Sequence, residues 1–242
     1  MPTSSHEHIV KSFTEELALL GAEVAQMGGL AEQQLSQAIE AIARRDTALA
    51  EQTIRDDERI DKLEMEIQSR AVRVLALRQP MAQDLREVVV AIKISTDLER
   101  VGDLSKNIAK RTLVLNREEP VRIIQSLSRM GRLALTELKD ALDAYSERNA
   151  DQALVVWRRD EDLDELYNSL FRELLTYMME DPRTIGLGTH LMFVAKNLER
   201  IGDHATNIAE TVHYLVHGTN IRDARPKGAF PSMPPIDDSV SA

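Results

Sequence analysis

A twelve-residue segment occurs twice in the chain, 100 positions apart, and four of the eight residues that are identical in the two copies are polar or charged. The first copy reads LERVGDLSKNIA from Leu98, and the second reads LERIGDHATNIA from Leu198. On a helix, residues four apart lie on one face. Each copy therefore predicts a stripe of oxygen-bearing side chains, which are Glu99, Asp103 and Asn107 in the first copy and Glu199, Asp203 and Asn207 in the second.

These stripes have two interpretations, a metal site and an ordinary solvated helix face. Carboxylate oxygens suit hard cations such as Mg²⁺, Ca²⁺, Mn²⁺ or ferric iron. Four aspartates on the preceding predicted helices also recur, at an offset of 103, and could join the stripes: Asp57, Asp61, Asp160 and Asp164. Spacing alone leaves both interpretations open.

A glycine interrupts each stripe, Gly102 in the first copy and Gly202 in the second. A glycine inside a helix costs roughly 1 kcal/mol relative to alanine. Something at both positions therefore needs space, either a close neighbouring helix or a bulky ligand. Because the apolar residues of each segment cluster on a different face, we expect the carboxylates to point away from their own bundle as two surface sites.

The arginines of the repeat, Arg100 and Arg200, are expected to form salt links with nearby carboxylates or to take part in docking. His204 has Leu104 as its counterpart and is expected to be peripheral. No nucleophile with a matching base, phosphate-binding loop or dinucleotide-binding glycine pattern occurs, so no catalytic residue is nominated. An enzyme is not the expected class.

Composition narrows the class of protein further. The 242 residues carry a net charge of −10, which argues against nucleic acid as the main ligand. There is no cysteine, so disulfides and thiolate metal sites are excluded. The N-terminus lacks the pattern of a signal peptide, and no stretch approaches the roughly 20 apolar residues of a membrane span. We therefore expect a cytoplasmic protein.

The repeated segments sit in a larger duplication. Apolar residues recur at helical spacing, and prolines and joints divide the chain into three helices, twice over. The predicted fold is all-α, with two tandem antiparallel three-helix bundles. Its predicted parts are a flexible N-terminus (1–9), a first repeat (10–115), a linker (116–120), a second repeat (121–217) and a disordered tail (218–242).

Three features together resemble the PhoU family. They are the twofold Glu-x-x-x-Asp segments, the acidic second helices and the run PMAQDLR that begins at Pro80. The resemblance covers roughly residues 10–217. It implies a six-helix fold of two repeats, commonly dimeric, and a regulator that restrains phosphate uptake and the phosphate-starvation response. The implied partners are the ATPase subunit of the phosphate transporter and the phosphate-sensing histidine kinase PhoR, so contact with the membrane would be through partners only.

The resemblance also implies bound Mg, Mn or Fe, and it carries the role of leading ligand to matching positions. Those positions are Glu99, Asp103, Glu199 and Asp203, followed by Asp61 and Asp164. Asp57, Asp160, Asn107 and Asn207 are auxiliary candidates.

Two other hypotheses compete with this regulator. One is a carboxylate-metal enzyme, hydrolase or redox, built on the same bundle. The other is a structural bundle whose stripes form salt links to a second subunit.

Overall fold

The computed structural model describes the backbone of residues 4–221 and the side chains of residues 13–221. Within that part of the chain all regular structure is helical, and a short 3₁₀ turn at Pro182–Thr184 precedes the last helix. The helices are α1 (Ser4–Arg44), α2 (Thr47–Arg78), α3 (Ala82–Leu115), α4 (Ile123–Glu147), α5 (Ala150–Glu180) and α6 (Ile185–His217).

The joints between these helices follow from local chemistry. Asp46 caps α2, because its side chain accepts a hydrogen bond from the backbone N–H of Leu49 at 2.9 Å. Gln79 ends that helix in the left-handed conformation, directly before Pro80. Asn149 caps α5 in the second half as Asp46 caps α2 in the first. The repeated joints explain why both halves have the same order of helices.

Each half is a three-helix bundle, formed by α1, α2 and α3 and by α4, α5 and α6. The two bundles pack together along α1 against α4 and α3 against α6. One hydrophobic core runs through both bundles, with Met27 and Leu98 from the first half and Met130 and Leu198 from the second. The predicted fold class of two tandem three-helix bundles is confirmed.

Helices α3 and α6 are antiparallel, as contacts at both of their ends show. Lys93, near the start of α3, lies over the ring of Tyr214 near the end of α6. At the other end, the guanidinium of Arg111 stacks 4.1 Å from the ring centre of Phe193. The two copies of the repeated segment therefore run past each other at the centre of the molecule.

The ends of the chain differ from the prediction in one respect. Helix α1 begins at Ser4, so helix extends into the segment 1–9 that was expected to be flexible. Of the predicted tail, residues 222–242 lie outside the described part of the chain. None of the described helices is both long and apolar enough to span a membrane.

Candidate functional site: two carboxylate seams

The repeated carboxylates lie where the second helix of each half meets the third. We call the α2–α3 group the first seam, formed by Asp57, Asp61, Glu99, Asp103 and Lys106. We call the α5–α6 group the second seam, formed by Asp160, Asp164, Glu199, Asp203 and Thr206. The structure thus brings together the metal-ligand candidates of each half, and it adds Lys106 and Thr206, which the sequence reasoning did not include.

The first seam is organised around the ammonium of Lys106. Its Nζ donates to Asp103 Oδ1 at 2.7 Å and to Asp57 Oδ2. Asp57 is only 3% exposed, and its other oxygen accepts a hydrogen bond of 3.1 Å from Gln34 Nε2 on α1. This chain of contacts joins all three helices of the first half.

The protonation equilibria of the first seam follow from burial and from Lys106. Burial, with the neighbouring Asp103, raises the pKa of Glu99. Burial, with Asp57, also raises the pKa of Asp61. For Asp103 the effect of burial is outweighed by the hydrogen bond from Lys106, which lowers its pKa. For Lys106, too, burial is outweighed, by Asp103 and Asp57, and its pKa rises.

In the second seam the buried aspartate is bonded to a neutral side chain, and the lysine pairs with a different carboxylate. Thr206 occupies the position equivalent to Lys106, and its hydroxyl donates to Asp160 Oδ1 at 3.0 Å. Asp160 is as buried as Asp57, at 3% exposure. The lysine of this seam is Lys196, whose Nζ lies 2.7 and 2.8 Å from the two oxygens of Glu199. Burial raises the pKa of Glu199 against the effect of this lysine.

The two repeated glycines are explained by helix packing. A Cβ on Gly102 would lie 3.1 Å from Ile60 Cδ1 and 3.1 Å from Gln34 Oε1. A Cβ on Gly202 would lie 2.2 Å from Leu163 Cδ2. Of the two alternatives left open by the sequence, a close neighbouring helix is therefore the one that the structure supports.

The expectation of outward-facing surface stripes needs correction. Asp57 and Asp160 are buried, Glu199 is 9% exposed, and Glu99 and Asp103 are only partly exposed. The prediction counted only the apolar residues of the third helix itself. It could not include α2 and α5, which pack over the acidic faces and turn them into seams between helices.

The arginines and asparagines of the repeated segments lie outside the groups of side chains that form the two seams. Arg100 lies 3.3 Å from its neighbour Glu99 and 3.8 Å from Asp103, which is one turn away, and Arg200 is exposed. Asn107 is exposed. Asn207 instead donates across the bundles to Asp97 Oδ1 at 3.4 Å.

His204 joins the two halves of the molecule. Its Nδ1 lies 2.9 Å from Asp97 Oδ1 on α3. In the second copy of the segment, Asn197 stands at the position equivalent to Asp97. In the structure this difference belongs to the contact between the bundles, because Asp97 meets His204 there.

The first seam, as arranged, does not fit a metal ion. Within residues 13–221, no three histidine, aspartate or glutamate side chains are grouped so that they could hold one. In the first seam the ammonium of Lys106 already lies against two of the candidate carboxylates, Asp57 and Asp103. A metal ion there would have to displace a positive charge.

Sequence reasoning missed Lys106 and Lys196 because it compared what the two copies share. Both lysines stand at positions where the copies differ, since Lys106 matches Thr206 and Lys196 matches Thr96. The sequence did contain a signal. The first copy has its lysine one turn after the acidic pair, the second copy has its lysine one turn before the pair, and each copy has threonine where the other has lysine.

Comparison with known proteins agrees with the duplicated fold. The family model described as the PhoU domain matches the chain twice, over residues 24–112 and 127–212. Both seams lie within the matched residues.

Curated relatives match nearly the whole chain. A phosphate-specific transport system accessory protein PhoU homolog of Caulobacter vibrioides is 57% identical over 91% of this chain and 96% of the relative. The homolog of Rhizobium meliloti is 50% identical over 92% of this chain and 94% of that protein.

Solved structures agree as well. The crystal structure of PhoU from Pseudomonas aeruginosa is 41% identical, with a TM-score of 0.83, covering 86% of this chain and all of that one. The PhoU structure from Streptococcus pneumoniae is 33% identical, with a TM-score of 0.80, covering 86% of this chain and 99% of the other. The chain, with two repeats that each carry one carboxylate seam, therefore belongs to the PhoU family.

Proposed function

We propose that this protein is a non-enzymatic regulator of phosphate transport. It restrains high-affinity phosphate uptake and represses the phosphate-starvation response when phosphate is plentiful. The observation that carries this proposal is the match of both repeats to the PhoU domain, together with relatives named as accessory proteins of the phosphate-specific transport system.

The direct test is genetic. Deletion of the gene should raise expression of a phosphate-starvation reporter in phosphate-rich medium, and the wild-type gene should restore repression. A variant at an exposed lysine, Lys110→Thr, serves as a matched control that should repress like wild type. Expression that stays low in the deletion strain would contradict the proposal.

The protein acts in this proposal as a cytoplasmic adaptor between the ATPase subunit of the transporter and the sensor kinase. A pair of bundles offers separate surfaces to two partners. Purified protein should co-elute with the ATPase subunit and with the cytoplasmic part of the kinase in separate experiments. Binding to neither protein would contradict the adaptor role, while leaving the reporter experiment as an independent test of regulation.

A carboxylate-metal enzyme is the alternative, and no feature of the seams favours it. Lysines contact carboxylates of both seams, and no activated nucleophile accompanies them. Metal-loaded protein should therefore show no turnover of phosphoesters or peroxide. Turnover that disappears in Glu99→Gln would favour the enzyme.

Metal binding and dimerisation stay predictions. Elemental analysis of purified protein tests the first, and light scattering coupled to size exclusion tests the second. In the first seam, metal binding would require Lys106 to move away from Asp57 and Asp103.

A further inference from the structure

The lysine–threonine exchange between the two seams concerns the same structural position. Residues 106 and 206 both stand three positions after the second acid of the repeated segment, on α3 and α6. Both side chains bond to a buried aspartate of the preceding helix, Asp57 or Asp160. Only Lys106 brings a charge to that place.

A buried carboxylate needs a compensating charge or several hydrogen bonds, because ionised groups are poorly stabilised away from water. Asp57 has both, the amide of Gln34 on one oxygen and the ammonium of Lys106 on the other. The same ammonium reaches Asp103 at 2.7 Å, so one cation serves two acids from different helices.

A hard metal ion would use the same geometry. Mg²⁺ and Mn²⁺ favour carboxylate oxygens, and Mg²⁺ takes them at roughly 2.0–2.1 Å. The position from which such an ion would contact both Asp57 and Asp103 is the position that the ammonium holds. The two cations therefore exclude each other.

We infer that Lys106 is the built-in cation of the first seam and replaces a metal ion there, so that the first half binds no metal while this lysine is present. The inference concerns the chemistry of the seam and does not depend on the proposed regulatory function. It also separates the two halves, since the equivalent position in the second half carries no charge.

The second seam provides the design of the test. Thr206 shows that this fold accepts threonine at the position, with its hydroxyl bonded to the buried aspartate. Lys106→Thr therefore removes the cation and retains a donor for Asp57. Lys110→Thr is the matched control, because it removes one lysine from the exposed face of the same helix, one turn away.

Mn²⁺ binding is measured by calorimetry on the full chain, after chelator treatment and buffer exchange. Lys106→Thr should bind one more Mn²⁺ per chain than wild type, and Lys110→Thr should bind the same number as wild type. Equal stoichiometry in all three proteins would overturn the inference.

Thermal unfolding gives a second readout. Without metal, Lys106→Thr should melt roughly 5–10 °C below wild type, because two carboxylates lose their cation. Added Mn²⁺ should raise the melting temperature of Lys106→Thr more than that of Lys110→Thr. An equal rise in both variants would count against the inference.

If Lys106→Thr does not fold, a variant that keeps Lys106 can be used for the same Mn²⁺ titration. Asp61→Asn removes a first-seam carboxylate without touching the hydrogen bonds of Lys106. Wild type and Asp61→Asn should bind the same number of Mn²⁺ ions. A lower number in Asp61→Asn would place a metal in the first seam of the native protein and overturn the inference.

Discussion

The first and second seams are built from the same acids in the same order on equivalent helices. In each seam, however, the lysine that compensates the negative charge pairs with different carboxylates. In the first seam a lysine bridges the two helices through Asp57 and Asp103. In the second seam the lysine stays on one helix, paired with Glu199, and a neutral threonine makes the link between helices. Duplication therefore preserved the acids and the packing, while the compensating charges diverged.

The Glu-x-x-x-Asp segment alone therefore does not determine which cation compensates its charge. The same Glu-x-x-x-Asp segment is compatible with a lysine before it or after it. For this family member, the residues around the motif decide how much room is left for an external cation.

The largest expected effect comes from removing the bridging charge. Lys106→Met should lower the free energy of unfolding by about 2–4 kcal/mol, since it leaves the buried Asp57 without a cation. The equivalent change, Thr206→Val, should cost only about 1–2 kcal/mol, because a neutral hydrogen bond is lost. Urea unfolding of both variants and of Lys110→Met measures the difference. Equal losses would contradict the asymmetry of the seams.

The two seams also differ in how tightly the neighbouring helix packs against the repeated glycine. Gly202→Ala should destabilise the protein by about 1–3 kcal/mol, because its Cβ would meet Leu163 at 2.2 Å inside the core. At Gly102 the nearest atoms lie 3.1 Å away, and a gain in helix propensity of about 1 kcal/mol offsets the crowding. Gly102→Ala should therefore be nearly neutral in thermal unfolding. A larger loss at Gly102 would show that the first seam is the tighter one.

A smaller effect concerns an ion pair that only the first half has. Arg78 on α2 contacts Glu16 on α1 at 3.0 Å, while the equivalent positions of the second half carry Glu119 and Asp181. The hydrogen bond from Arg78 lowers the pKa of Glu16 below its ordinary value of 4.5. A lowered pKa stabilises the fold above the unfolded-state pKa, and the contribution is lost as the pH falls through the folded-state value.

Glu16→Gln should therefore lower stability by less than about 1 kcal/mol at pH 7, because both side chains are partly exposed. The difference from wild type should shrink as the pH is lowered to about 3. Urea unfolding at both pH values measures it. A difference that persists at the lower pH would assign the effect to packing.

Much of the fold could be predicted from the sequence because the residues that begin and end the helices act locally. Asp46 caps its helix, and the break at Pro80 recurs at Pro182. The identity of the repeated acids was equally visible.

The arrangement within the seams could not be predicted, because it depends on the rotation of α2 against α3. That rotation buries Asp57, brings Gln34 to it and aims Lys106 between two acids. The contacts of Asp57 with Gln34 and with Lys106 join residues far apart in the sequence. The pairing of Lys106 with Asp103, three residues earlier, was missed because the two copies were compared only for the residues that they share. Differences between repeats were the more informative signal here.

If Lys106 closes the native first seam, that seam holds no metal ion in the isolated protein. Elemental analysis of protein purified without chelators tests it most directly, in wild type, Asp103→Asn and Asp203→Asn. Asp103→Asn should carry the same amount of metal as wild type, whatever the second half holds. Metal that is present in wild type and lost in Asp103→Asn would contradict it.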